Sequence, residues 1–319
     1  MAMTRTSRRS IRTAAAATLL GLAFAAAPAL RSQSLDIPSE KWGLSFGNSK
    51  EFTGLRFNFR DRGVRRVAGV NFTLWMPHKK DNDAVVTGLS LGVVPGGGRV
   101  RGIQLGLLGA GADKSLTGLT LAGLGAGAGE DVKGVALAFG GVGAGDNVTG
   151  LLAGGLGAGA GGSVTGVIVG GLGGGVGENM TGLLVGGLGG GCGDKLTGVA
   201  VGGIGIGAGE SIDGIVLCGV GAGAPRIRGL AVCGFGVGGE DLRGAFLAGG
   251  MVHVAKGGRL SGLAVSSFNY CRGSVRGLSI GIVNYAVRID KGFQIGLVNI
   301  VRENPKGARV LPLFNTDFR

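Results

Sequence analysis

The chain repeats itself every 16 residues over its centre, and a period that short restricts it to a stack of small units that share one core. Residues 148–211 show the unit most clearly: VTGLLAGGLGAGAGGS, VTGVIVGGLGGGVGEN, MTGLLVGGLGGGCGDK, LTGVAVGGIGIGAGES. With the aliphatic residue two before the first glycine as position 1, position 3 is glycine in seventeen units: Gly54, Gly69, Gly88, Gly102, Gly118, Gly134, Gly150, Gly166, Gly182, Gly198, Gly214, Gly229, Gly244, Gly262, Gly277, Gly292 and Gly307. The spacing is 16 in the centre and mostly 15 in the last third, with insertions giving 19 near Pro77-His78-Lys79 and 18 near His253.

Within a central unit, aliphatic residues fall at positions 1, 4, 6, 9, 11 and 13. Positions 4 and 6 alternate as a strand, and so do 9, 11 and 13. The parity changes at the Gly-Gly of positions 7 and 8, where a corner turns both sets inward. Polar residues at 14 to 16, such as Gly177-Glu178-Asn179 and Gly193-Asp194-Lys195, mark a second turn. The pattern predicts an all-β, Gly-rich parallel β-solenoid of about seventeen coils of 15–16 residues, with two short strands per coil. Coils stacked at about 4.8 Å give a rod of about 80 Å. Small residues at 11 and 13, among them Ala158, Ala160, Gly174 and Ala208, predict a thin core in the middle.

Aromatics cluster toward both ends, with Trp42, Phe46, Phe52, Phe57, Phe59, Phe72 and Trp75 early and Phe235, Phe246, Phe268, Tyr270, Tyr285, Phe293, Phe314 and Phe318 late. The expectation is a thicker core there. Exposed strands at the rod ends need caps, for which 30–51 and 308–319, with Pro305 and Pro312, are the candidates. The divisions that follow are N-terminal coils over 52–112, Gly-rich central coils over 113–241 and C-terminal coils with their cap over 242–319. A transmembrane β-barrel is the alternative architecture, but it needs strands of about 9–11 residues with large lipid-facing groups. Glycine every third residue, the mark of polyproline-II-like bundles, is absent from the period-two alternation.

Composition excludes two classes. With 73 Gly but 7 Pro and no strict G-X-Y period, the chain is not collagen. Apolar residues reach 45% and fall in register with the glycines, unlike disordered chains. Residues 1–29 read as an export leader: a basic MAMTRTSRRSIR, an apolar AAAATLLGLAFAAA, then Ala27-Pro28-Ala29, a small-x-small cleavage site. Ser7-Arg8-Arg9-Ser10-Ile11 resembles a twin-arginine signal, so both export routes stay open. The leader implies a periplasmic, outer-membrane or surface location. No other segment is long and apolar enough for a permanent transmembrane helix.

Stacking turns each repeat position into a column. Position 2 carries Thr53, Thr87, Thr117, Thr149, Thr165, Thr181 and Thr197, which read as exposed strand residues rather than a crystal-binding array. Farther on, that column becomes Arg228, Arg243, Arg276, Lys291 and Lys306. In a chain of net charge +13, such a stripe is the candidate contact for an anionic glycan or lipid head group. The rival reading is a charged edge that resists aggregation, and nothing points to a specific nucleic acid. Position 15 carries Glu130, Asp146, Glu178, Asp194 and Glu210. One carboxylate per coil is too few for the 6–8 oxygens of a calcium site, so these read as turn acids.

Asn269, Asn284 and Asn299 share position 10 at 15-residue spacing, as a hydrogen-bonded amide ladder requires. Cys218 and Cys233 share position 7 in neighbouring coils, within disulfide reach although parallel side chains approach awkwardly; bridged and free states both stay open. Cys192 and Cys271 read as buried thiols. His78 and His253 lie in inserted segments with no partner carboxylates and no G-x-S-x-G elbow. No cofactor motif stands out in a chain this rich in glycine, and the expectation is a protein that is not an enzyme.

The C-terminal units read GLSIGIVNYAVRIDKGFQIGLVNIVRENPKGARVLPLFN. This stretch resembles the bacterial surface-repeat family built on GLxIGLxN units, closely over 275–315 and loosely from Gly54 onward. The resemblance implies an exported, envelope-associated protein and supplies no catalytic residues. The central units replace the Asn-bearing half with LGxGxG.

Overall fold

The computed structural model describes residues 34–78 and 83–318. The leader expected over 1–29 lies outside them. The chain is a β-solenoid of parallel coils with Gly-rich turns, not a barrel.

The glycine column sets the register. Gly43, Gly54, Gly69, Gly88, Gly102, Gly118, Gly134, Gly150, Gly166, Gly182, Gly198, Gly214, Gly229, Gly244, Gly262, Gly277 and Gly292 pair in sequence, each with φ between 111° and 145°. Only glycine holds that backbone without strain. The column has seventeen members, but one differs from the sequence expectation. Gly43 joins at an irregular spacing. Gly307 drops out, because Pro305 precedes a 3₁₀ turn over Lys306–Ala308 and the chain then reverses. Lys306 therefore does not belong to the position-2 column.

A central coil consists of a long strand such as Val148–Gly154 and a short one such as Gly157–Ala160. Each pairs in parallel with its counterparts above and below. From Gly236 onward, where the period is mostly 15, the strand continues around the charged corner, as in Gly236–Ala248 and Phe268–Ile280. Antiparallel strands close both ends: Leu35–Pro38 on Trp42–Phe46, and Val310–Asn315 on the strand Val283–Val301. Pro38 and Pro312 lie in these outer strands, where a missing N–H blocks further pairing.

The side-chain phase is the reverse of the expected one. In the long strand the odd positions face inward. Position 1 is buried from Phe52 through Val148 to Val275, and position 5 holds Leu152, Ile168, Leu184 and Val216 at 0% exposure. Positions 4 and 6 face outward, and the position-9 residues Leu156, Leu172 and Leu188 stand exposed at the corner. In the short strand, positions 11 and 13 do point inward, as at Ala158 and Ala160. The long strand is apolar at 4, 5 and 6 alike, so its sequence carries no polar mark of the outer face.

The same phase corrects the expectation for the aromatics. Phe52 and Phe246 are buried, whereas Trp42, Phe46, Phe59, Phe72, Trp75, Phe235, Phe293 and Phe314 are exposed. Outside the first coils Phe46 stacks on Phe57 and Phe57 meets Phe72 at a tilt, with ring centroids 5.5 and 5.8 Å apart. The interior of the N-terminal coils is polar instead. The position-5 column starts as Ser45, Arg56, Asn71, Ser90, Gln104 and Thr120, all buried. Arg56 Nη1 donates to Asp61 at 2.6 Å and to Asn71 at 2.9 Å, and Thr73 donates to the other Asp61 oxygen at 3.1 Å. A buried charge is tolerated when paired and hydrogen-bonded in this way.

Candidate anion-binding cleft

The C-terminal coils gather the chain's side-chain chemistry. The amides of Asn269, Asn284 and Asn299 form a continuous ladder inside the first corner, just after positions 7 and 8. Asn269 Nδ2 donates to Asn284 Oδ1 at 2.7 Å, and Asn284 Nδ2 to Asn299 Oδ1 at 2.7 Å. Each amide also donates to a backbone carbonyl: Ile280, Ile295 and Gly296 respectively, at 2.8 to 2.9 Å. Ser266 Oγ closes the ladder at one end by donating to Asn269 Oδ1 at 2.9 Å. Such a satisfied network rigidifies the coils that carry it. Cys218 and Cys233 are disulfide-bonded, with Cα atoms 4.7 Å apart. Cys192 and Cys271 are free and buried, and burial pushes the Cys271 thiol up to about 11.

The position-2 column is present but interrupted. In register it runs Asp213, Arg228, Arg243, Ser261, Arg276, Lys291. Arg228 faces Asp213 at 3.9 Å, and Arg243 Nη2 donates to Asp241 at 2.7 Å. Arg276 and Lys291 are exposed and have no ion-pair partner among the described residues. Two of the expected contacts are therefore partly neutralised, and the remaining two are neighbours.

A stronger cationic site lies around the charged corner. The unit at Gly244, which runs 18 residues to Gly262, is longer than its neighbours, and the register shifts between Val254 and Arg259. The extra residues form a bulge within the strand Met251–Val265, where Gly257 has φ 77° and open space around it. This bulge walls an open cleft of about 720 Å³. Lys256, Arg259, Arg272, Arg288 and Arg302 line it, together with Glu240, Asp241 and Glu303. Arg288 is held by Asp290 at 3.0 Å, and Asp241 is engaged by Arg243. Lys256, Arg259, Arg272 and Arg302 have no ion-pair partner among the described residues.

Aromatic rings lead into this cleft. His253, Tyr270 and Tyr285 stand in register on the outer side of the strands Met251–Val265, Phe268–Ile280 and Val283–Val301. Their ring centroids are 5.8 and 5.0 Å apart, and Phe268 stacks on Tyr270 at 5.5 Å. Tyr285 is part of the cleft wall. Flat, partly exposed rings offer an apolar platform with a polar tip, and guanidinium groups grip carboxylates, sulfates or phosphates bidentately.

No family model, curated protein or solved structure matches the chain.

Among the described residues, no group of three or more His, Cys, Asp or Glu side chains converges as a metal site would require. The turn acids Glu130, Asp146, Glu178 and Glu210 are exposed at the corner. The position-2 threonines are exposed as well. Sequence reasoning missed the cleft because its cations occupy different repeat positions. The available signal was the longer unit at Gly244 together with the density of Arg and Lys after residue 240.

Proposed function

We propose that the protein is an exported, non-catalytic rod of the cell envelope whose C-terminal coils hold an acidic glycan. The observation that carries this reading is the cleft bounded by Lys256, Arg259, Arg272 and Arg302 beside the His253–Tyr270–Tyr285 ring column. Sugar C–H faces pack on the rings while the sugar's carboxylate or sulfate meets the arginines. The open cleft admits a polymer passing along the corner rather than a small molecule enclosed on all sides. The leader-like N-terminus and the GLxIGLxN resemblance over 275–315 support an envelope location.

The test is retention of the full chain in gels containing polygalacturonate, with neutral dextran as the control. The expected result is retardation by the acidic polymer alone, weakening as salt rises. Arg272→Gln with Arg302→Gln should abolish most of it. Lys133→Gln with Lys195→Gln, the same charge change at a distance, should not. Arg228→Gln, Arg243→Gln and Arg276→Gln together test the position-2 column separately. Equal retardation of the cleft and distal variants would reduce the effect to net charge and refute the reading.

A further inference from the structure

The outward face of the long strands is apolar along the whole rod. Positions 4 and 6 carry aliphatic or aromatic residues in every coil, from Leu44 and Phe46 to Phe293 and Ile295. Four strand positions of about 3.3 Å by sixteen steps of about 4.8 Å make a band of roughly 1,000 Å². That exceeds the largest apolar patch of an ordinary monomer, about 300–600 Å². It also exceeds the roughly 800 Å² that each partner contributes to a stable interface.

We infer that this face is covered by a second copy of the chain, packed face to face with the rods antiparallel. Two columns of side chains repeating at the coil spacing are self-complementary, since the ridges of one copy fit between those of the other. The rims decide the direction. A parallel pair sets the position-2 column against the partner's exposed apolar corner in the same coils, with Arg101 toward Leu108 and Arg228 toward Phe235, which desolvates charge on an apolar ridge. An antiparallel pair sets position 2 against position 2, so that the threonines of the central coils meet one another. Its two-fold axis crosses the rod between the Gly150 and Gly166 coils. In that register, Asp213 of each copy faces Arg101 of the other, and no like charges of the position-2 columns oppose. The closed two-fold contact ends the assembly at a dimer.

The cleft lies around the charged corner, away from this face. It stays open, and the dimer carries two clefts near its opposite ends. The inference does not depend on what the cleft binds.

The experiment is sedimentation of the full chain over a concentration series, with circular dichroism as the folding control. The expected result is a particle of twice the chain mass. Val167→Lys, beside the two-fold axis on the outward face, should give a folded monomer. Arg101→Asp, which sets two acids against each other, should weaken dimerisation at least tenfold, and Arg101→Lys should leave it intact. Because Arg101 is exposed, this second pair of variants keeps the inference testable if Val167→Lys fails to fold. A wild-type monomer at tens of micromolar, whether free or adsorbed to phosphatidylglycerol vesicles, would overturn the pairing. A dimer indifferent to Arg101→Asp would overturn the antiparallel register.

Discussion

Replacing Gly166 with alanine tests the glycine column at its centre. A methyl group there would sit 2.8 Å from the carbonyl carbon of Gly150 and closer still to its oxygen, on a backbone with φ 137°. Holding a non-glycine residue in that conformation costs about 1–3 kcal/mol. Relieving the overlap means separating two coils locally, and each ladder hydrogen bond lost adds about 1 kcal/mol. With two or three such bonds, the loss is about 3–6 kcal/mol. Gly175 provides an internal control in the neighbouring short strand, because a methyl group there meets nothing within 4 Å. Gly175→Ala should be neutral or stabilising by up to about 1 kcal/mol, since it only reduces the freedom of the unfolded chain. Urea unfolding followed by circular dichroism compares the two variants, and hydrogen exchange of the flanking coils detects local opening in a repeat array. If both substitutions shifted the midpoint equally, the close approach of coils at position 3 would be wrong.

Two further outcomes follow from the C-terminal coils. Asn284→Ala removes two donated bonds and one accepted bond at a residue with 0% exposure, which should cost about 3 kcal/mol by thermal or urea unfolding; Asn284→Asp should be worse at neutral pH and partly recover on acidification, as the protonated carboxyl regains one donor. Burial raises the Cys271 thiol from 9.0 to about 11, so its contribution to stability is intact below the unfolded value and is lost as pH rises toward about 11. The loss approaches about 2–3 kcal/mol, and a stability–pH series on Cys271→Ala should lack that part of the decline.

The period, the parallel stack and the amide ladder are legible in the sequence because each depends on register alone. Glycine at position 3 and asparagine at 15-residue spacing encode backbone and side-chain contacts between neighbouring coils. The inside–outside phase is not legible. Leu183, Leu184 and Val185 are all aliphatic, so alternation exists without polarity, and only the glycine backbone of the folded coil selects Leu184 for the core. Gly43 is hidden by its short spacing to Gly54, and Gly307 keeps the spacing while Pro305 ends the coil. The cleft depends on the bulge at 255–258 bringing Lys256 and Arg259 near Arg272 and Arg302, which no single repeat position records.

Everything assigned to the surface rests on the phase of the strands, and thiol labelling measures it directly. Leu184 is fully buried, whereas Leu188, on the corner of the same coil and outside the proposed dimer face, is 54% exposed. In a background with Cys192 and Cys271 changed to alanine, Leu188→Cys should react with maleimide at nearly the rate of the unfolded chain. Leu184→Cys should be protected by orders of magnitude under the same native conditions. Protection at residue 188 with free reaction at 184 would contradict the account and return positions 4, 6 and 9 to the core.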